Sequence, residues 1–114
     1  TGRRFEQVIG LTYSSRPDQL QGIVSDIRSL LLARPEVERK DVHVYFREFG
    51  ASSLDLWLAY EVNEPDFGRS LAIKQEINLE IMRAVEARGL AFAFPTKTIE
   101  LAGPTLERLA GRVA

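Results

Sequence analysis

From Phe5 to Tyr13, apolar side chains fall on odd positions (Phe5, Ile9, Leu11, Tyr13), with Glu6, Gly10 and Thr12 between them. A period of two predicts a strand with one buried face, blurred here by Gln7 and Val8. The next pattern has a different period. Leu20, Ile23, Val24, Ile27, Leu30 and Leu31 recur at helical spacing, after a start signal in SSRPDQL. A serine before a proline suited to the first turn, with Asp18 near the positive end, predicts the helix start. Arg34 and Pro35 are expected to end it.

After the polar link EVERKD, VHVYFREF sets Val42, Val44 and Phe46 on one side of a predicted strand. His43, Tyr45, Arg47 and Phe49 fall on the other. Gly50 and two serines punctuate a turn. Leu54, Leu56, Leu58, Tyr60 and Val62 then share one face, and Asp55, Trp57, Ala59 and Glu61 the opposite one, so the two runs read as an antiparallel pair. Asn63 to Asp66 start a second helix, with Ile73, Ile77, Ile81, Ala84 and Val85 as its apolar stripe. Gly89 is suited to stop it in left-handed geometry.

A last run, RGLAFAFPTKT, places Leu90, Phe92 and Phe94 on one face and Ala91 and Ala93 on the other. The order strand, helix, strand, strand, helix, strand predicts an α+β, ferredoxin-like βαββαβ fold: an antiparallel sheet with two helices on one face. Pro95 removes a ladder donor and turns the chain away, so Thr96 to Leu101 is expected as an extra C-terminal strand outside this sheet. The expected organisation is a domain over 4–94, the strand over 95–101, and a flexible or short helical tail over 102–114.

The 114 residues suit one domain that buries roughly two thirds of its unfolded surface. Fifteen Lys and Arg against sixteen Asp and Glu give a net charge of −1, so there is no global positive field to hold a polyanion. The absence of cysteine excludes disulfides and thiolate metal sites. No run of about 18 apolar residues is present and TGRRFEQ does not resemble a signal peptide, so this piece is expected to be soluble.

Motifs for chemistry are sparse. His43, the only histidine, has no nucleophile or ligand at a recognisable spacing, and Gly50–Leu54 lacks the second glycine of a nucleophile elbow. Lys97 and Thr98 stand without a phosphate-loop frame. Glu76 and Glu80 lie one helical turn apart, but Lys74 and Arg83 beside them point to a solvated mixed-charge face rather than a cation site. No catalytic residue, cofactor or metal is expected. The reading from another class is a single-stranded RNA-binding module, because RNA-recognition domains share this element order and Tyr45 or Trp57 offers stacking surface. Against it, their aromatic signature belongs on the third strand, whereas Arg88 to Phe94 is the fourth. Core phenylalanines are the simpler assignment.

The stretches IGLTYSSRPDQL, VYFREFGASSLDLWLAYEV and KQEINLEIMRAVEARGLAFAFPTKTIEL together resemble the cytoplasmic C-terminal α/β domain of the small-conductance mechanosensitive (MscS-like) ion channel family. The markers are the Ile-Gly-Leu-Thr-Tyr strand, Phe49-Gly50 before Ser52-Ser53-Leu54, Glu76-Ile77-Asn78, and a glycine-headed strand ending in Phe94-Pro95 with Thr98 beyond it. The likeness runs from about Arg4 to Leu101. It implies a non-enzymatic cage domain of a homo-heptameric channel in the cell membrane, lying on the cytoplasmic side and anchored through N-terminal helices absent from this sequence. Ions and small solutes would pass through the cage when membrane tension or hypo-osmotic shock opens the pore. An oligomer interface is expected to use Tyr45 and Trp57 on the aromatic-bearing sheet face, and the resemblance implies that Thr96, Thr98, Ile99 and Leu101 join it in a strand shared among subunits. Arg47, Asp55 and Glu61 are expected at subunit or solvent surfaces.

Overall fold

A computed structural model of the chain describes residues 2–93. Five elements follow in order: β1 (Arg3–Leu11), α1 (Pro17–Leu32), β2 (Val37–Phe49), β3 (Leu54–Val62) and α2 (Phe67–Ala87). The strands form one antiparallel sheet in the order β1-β3-β2. The architecture is therefore α+β, as expected, and the crossover from β1 to β2 leaves room for β3 between them. The anticipated fourth strand is represented among the described residues by one antiparallel bridge, Leu11 to Phe92. Two backbone bonds accompany it, Thr12 N–H to Ala91 O (3.0 Å) and Ala93 N–H to Gly10 O (2.9 Å). Phe94, the segments 95–101 and 102–114, and with them Thr96, Thr98, Ile99 and Leu101, lie outside the described residues.

The core forms where the two periodicities meet. Leu54, Leu56, Leu58, Tyr60 and Val62 of β3, with Ile9 and Leu11 of β1 and Val37 and Val44 of β2, pack against Ile23, Ile27 and Leu31 of α1 and Ile73, Ile77, Ile81 and Val85 of α2. Both helices thus cover one face of the sheet. Leu90 is buried, and Phe92 packs half-buried against this cluster while Ala91 is exposed. The two described positions of the apolar run therefore serve the core.

Several local details differ from the sequence reading. The first strand stops at Leu11, and Tyr13 lies in a turn whose Ser15 side chain donates to Thr12 O at 2.8 Å. No serine caps α1. Arg16 holds the N-cap position, and its backbone N–H donates to Gln19 Oε1 at 2.9 Å, so glutamine supplies the return bond of a capping arrangement. Asp66 does cap α2, accepting from Arg69 N–H at 2.9 Å, and Gly89 takes φ 71° after the helix. The segment read as a polar link belongs to β2, which begins at Val37. Register breaks between Val37 and Val42 and between Phe46 and Glu48 carry the strand through this polar sequence. The second break puts Phe49 opposite Leu54 and in edge contact with Phe46, their centroids 5.2 Å apart. Phe49 therefore leaves the Tyr45 face on which strict alternation had placed it.

Candidate functional site

Among the described residues nothing covers the face of the sheet away from the helices. In register across it stand Val8, Trp57 and Tyr45, with Glu6, Ala59 and His43 as the next row. Tyr45 and Trp57, the two described residues of the expected interface, are thus direct cross-strand partners. The His43 ring stacks near both, at centroid distances of 6.5 Å from Tyr45 and 6.1 Å from Trp57, and bonds Asp41 Oδ1 at 3.1 Å. The Arg47 guanidinium covers Trp57 from 5.0 Å. Val8 remains 62% exposed and Tyr45 53%.

Charge on this face is mixed. Arg4 pairs with Glu6 at 2.9 Å and with Asp41 at 3.3 Å, while Asp55 accepts from Ser53 at 2.6 Å and Glu61 stands opposite Arg4. The carboxylates of Glu6 and Asp41 paired with Arg4 oppose a phosphate backbone, which weighs against RNA stacking on Tyr45 or Trp57. An apolar ladder with mixed charge around it is a common make-up of protein–protein contact surfaces.

Around the outer edge of β2 the surface becomes concave. Pro17, Leu20, Gln21, Val24, Ser25 and Arg28 of α1 face Tyr45, Phe46 and Phe49 of β2 across a groove of about 720 Å³. Tyr13, Ser15 and Leu54 close one end, where the Tyr13 hydroxyl donates to Gly50 O. Alternation alone could not disclose this groove, because it depends on the register break that turns Phe49 toward Phe46. A legible part was the α1 stripe, where Leu20 and Val24 are followed four residues later by Arg28.

Other charged clusters are structural. Arg34, just past α1, donates to Glu76 and to Glu80 (2.8 Å), so the two glutamates expected on a mixed-charge helix face bind an arginine from across the domain. Arg88 donates to Asp26 at 2.5 and 3.1 Å, and this hydrogen bonding holds the Asp26 carboxyl below its ordinary pKa. Among the described residues no group of three His, Cys, Asp or Glu is placed to hold a metal ion. No helix there is long and apolar enough to cross a membrane.

Comparison with known proteins adds a family. Residues 5–92 match the family model described as "Mechanosensitive ion channel MscS, C-terminal". An MscS family protein of Aquifex aeolicus is 40% identical over 98 residues, covering 85% of this chain and 27% of that protein. The large-conductance mechanosensitive channel MscMJLR of Methanocaldococcus jannaschii is 32% identical over 101 residues, covering 86% of this chain and 28% of the channel. The chain thus spans under a third of the length of these curated relatives. Among solved structures, the cryo-EM structure of Arabidopsis thaliana MSL1 superposes with a TM-score of 0.74 at 18% identity. That match covers 82% of this chain and 34% of the other. The closed-state crystal structure of Helicobacter pylori MscS gives 0.62 at 19% identity, over 83% of this chain and 36% of that one. At such identities the structural likeness supports the fold.

Proposed function

Since the chain belongs to the MscS family of mechanosensitive ion channels and corresponds to its C-terminal domain, we propose that it forms part of the wall of a cytoplasmic vestibule in a homo-oligomeric, tension-gated channel. The parent protein would release ions and small solutes from swelling cells. The observation that carries this reading is the sheet face that the described residues leave uncovered, in which Val8, Trp57 and Tyr45 form a ladder bordered by mixed charge. Side chains of this kind are retained on a surface when another surface covers them. In this reading the domain supplies assembly and a charged wall, and chemistry is absent from its task. Tyr45 and Trp57 meet a neighbouring subunit, as do Thr96, Thr98, Ile99 and Leu101 in the segment beyond Pro95. A heptamer, joined to the membrane by preceding helices, is the assembly the reading takes.

The test uses the full-length parent protein reconstituted in liposomes. Suction on excised patches is expected to open discrete currents, and substituting Trp57 by Glu is expected to reduce the assembled fraction on native gels. Patches that stay silent up to bilayer rupture would overturn the channel reading. Full assembly of the Trp57→Glu protein would remove the sheet face from the interface.

A further inference from the structure

The groove between α1 and the edge of β2 is separate from the sheet face just assigned, and Tyr45 forms the rim that the two surfaces share. Its walls are mainly apolar, with Pro17, Leu20, Val24, Phe46, Phe49 and Leu54 among them and Gln21 and Ser25 as neutral polar members. Phe49 is 76% exposed and Tyr13 51%, so large aromatic surface faces water at one end. At about 720 Å³ the space falls in the range of small-molecule sites, which are concave, apolar and fixed by a few polar groups.

The polar groups are arranged unevenly. Among the described residues Arg28 is the one ionisable cation lining the groove, and no carboxylate of theirs lines it. Its guanidinium sits 5.6 Å from the centre of the Tyr45 ring and donates one hydrogen bond, to Val44 O. A guanidinium has five N–H donors, so several remain for an anion. None of the ion pairs among the described residues involves Arg28. The helix wall from Pro17 to Arg28 runs about 16 Å at 1.5 Å per residue, with the cation at one end and the Tyr13 and Phe49 rings toward the other. An elongated apolar slot with a cation at one end complements an elongated apolar molecule with an anion at one end.

We propose that this groove binds a single-chain alkyl carboxylate, its hydrocarbon lying along Leu20, Val24, Phe46 and Phe49 and its head paired with Arg28. Charge decides among occupants: an alkyl ammonium of the same length would meet Arg28 head to head, and a neutral alcohol would leave it unpaired. Burial sets the length dependence. Each methylene removed from water should tighten binding about fourfold until the slot is full.

The experiment titrates the 114-residue chain with octanoate, decanoate and dodecanoate below their micellar concentrations, following backbone amide shifts by NMR. Shifts confined to the groove-lining residues, with affinity rising about fourfold per methylene, are expected. Arg28→Gln should weaken decanoate binding about tenfold while leaving the length dependence intact, and Val24→Trp should block the slot. Dodecylamine binding as tightly as dodecanoate would overturn the proposal, as would shifts spread evenly over the surface. Groove signals that move on dilution without any amphiphile would instead seat a second copy there and overturn it too. The outcome is independent of channel activity in the parent protein.

Discussion

Arg34 Nη1 lies 2.8 Å from Glu80 Oε2, joining a residue just past the first helix to the middle of the second. The same guanidinium also reaches Glu76 and approaches Glu36 at 3.5 Å, while only 15% of its side chain is exposed. Three carboxylates and these hydrogen bonds raise its pKa against the opposing effect of burial. The arginine acts as a clasp between the end of α1 and α2.

Arg34→Met keeps most of the apolar stem and removes the clasp. Because Glu76 and Glu80 are substantially exposed, solvent screens the pairs, and a loss of about 1 kcal/mol is expected. Urea denaturation at low and at 1 M salt checks this. The gap between wild type and variant should narrow in high salt.

Tyr60 gives a prediction at the alkaline end. Its ring is wholly buried beside Phe5, with centroids 5.8 Å apart, and its hydroxyl has no hydrogen-bond partner among the described residues. Burial pushes its pKa up to about 12, with the positive charge of Arg34 pulling weakly the other way. A raised folded-state pKa favours the neutral phenol. The associated stability is complete below the unfolded value near 10 and is lost as pH rises toward 12. A loss of roughly 2 to 3 kcal/mol across that window is expected. In Tyr60→Phe this component of the pH dependence should vanish, while stability at pH 7 should stay within about 1 kcal/mol of wild type, since the hydroxyl is unpaired. Denaturant midpoints from pH 8 to 12 measure both.

Two glycines should respond oppositely to alanine. Gly22 lies inside α1, where an added Cβ would run into the Arg88 guanidinium, the flexible end of a side chain held by Asp26. Moving it aside sacrifices an exposed ion pair, whereas alanine in a helix interior gains up to about 1 kcal/mol, so Gly22→Ala is expected to raise Tm slightly. At Gly89 the space is open but φ is 71°, and Gly89→Ala should cost about 1 kcal/mol through the backbone alone.

The Asp26 and Arg88 pair makes an acid-side prediction. The Asp26 carboxyl is held below its ordinary pKa chiefly by its hydrogen bond to Arg88. Its stabilising contribution is therefore present above the unfolded pKa and lost as pH falls through the depressed folded value. Asp26→Asn should flatten that part of the stability profile between pH 5 and 2, with little effect at 1 M salt.

β3 was fully legible because it is regular: each side chain from Leu54 to Val62 falls where strict alternation assigns it. That Tyr45 and Trp57 share a face was equally legible, since both lie on unbroken stretches, although their direct pairing was not. β2 was legible only between its bulges, as one extra residue reverses the facing of all that follows it. That reversal is why Phe49, and with it the groove, stayed out of view. Long-range polar contacts such as Arg34 with Glu80, 46 residues apart, leave no periodic trace in the chain. The cap of α1 was misplaced by one residue, because Gln19 could supply from within the helix what Ser15 was expected to supply from outside.

Among the described residues the 13-residue β2 lies at the margin of the sheet, where unsatisfied N–H and C=O groups would ordinarily recruit stray strands. Its two interruptions kink that rail, and Arg28 bonds the Val44 carbonyl from the helix side. A margin so broken is a poor template for fibril growth. Any molecule approaching it is sorted by side-chain shape and charge instead of being zipped on by indiscriminate backbone pairing.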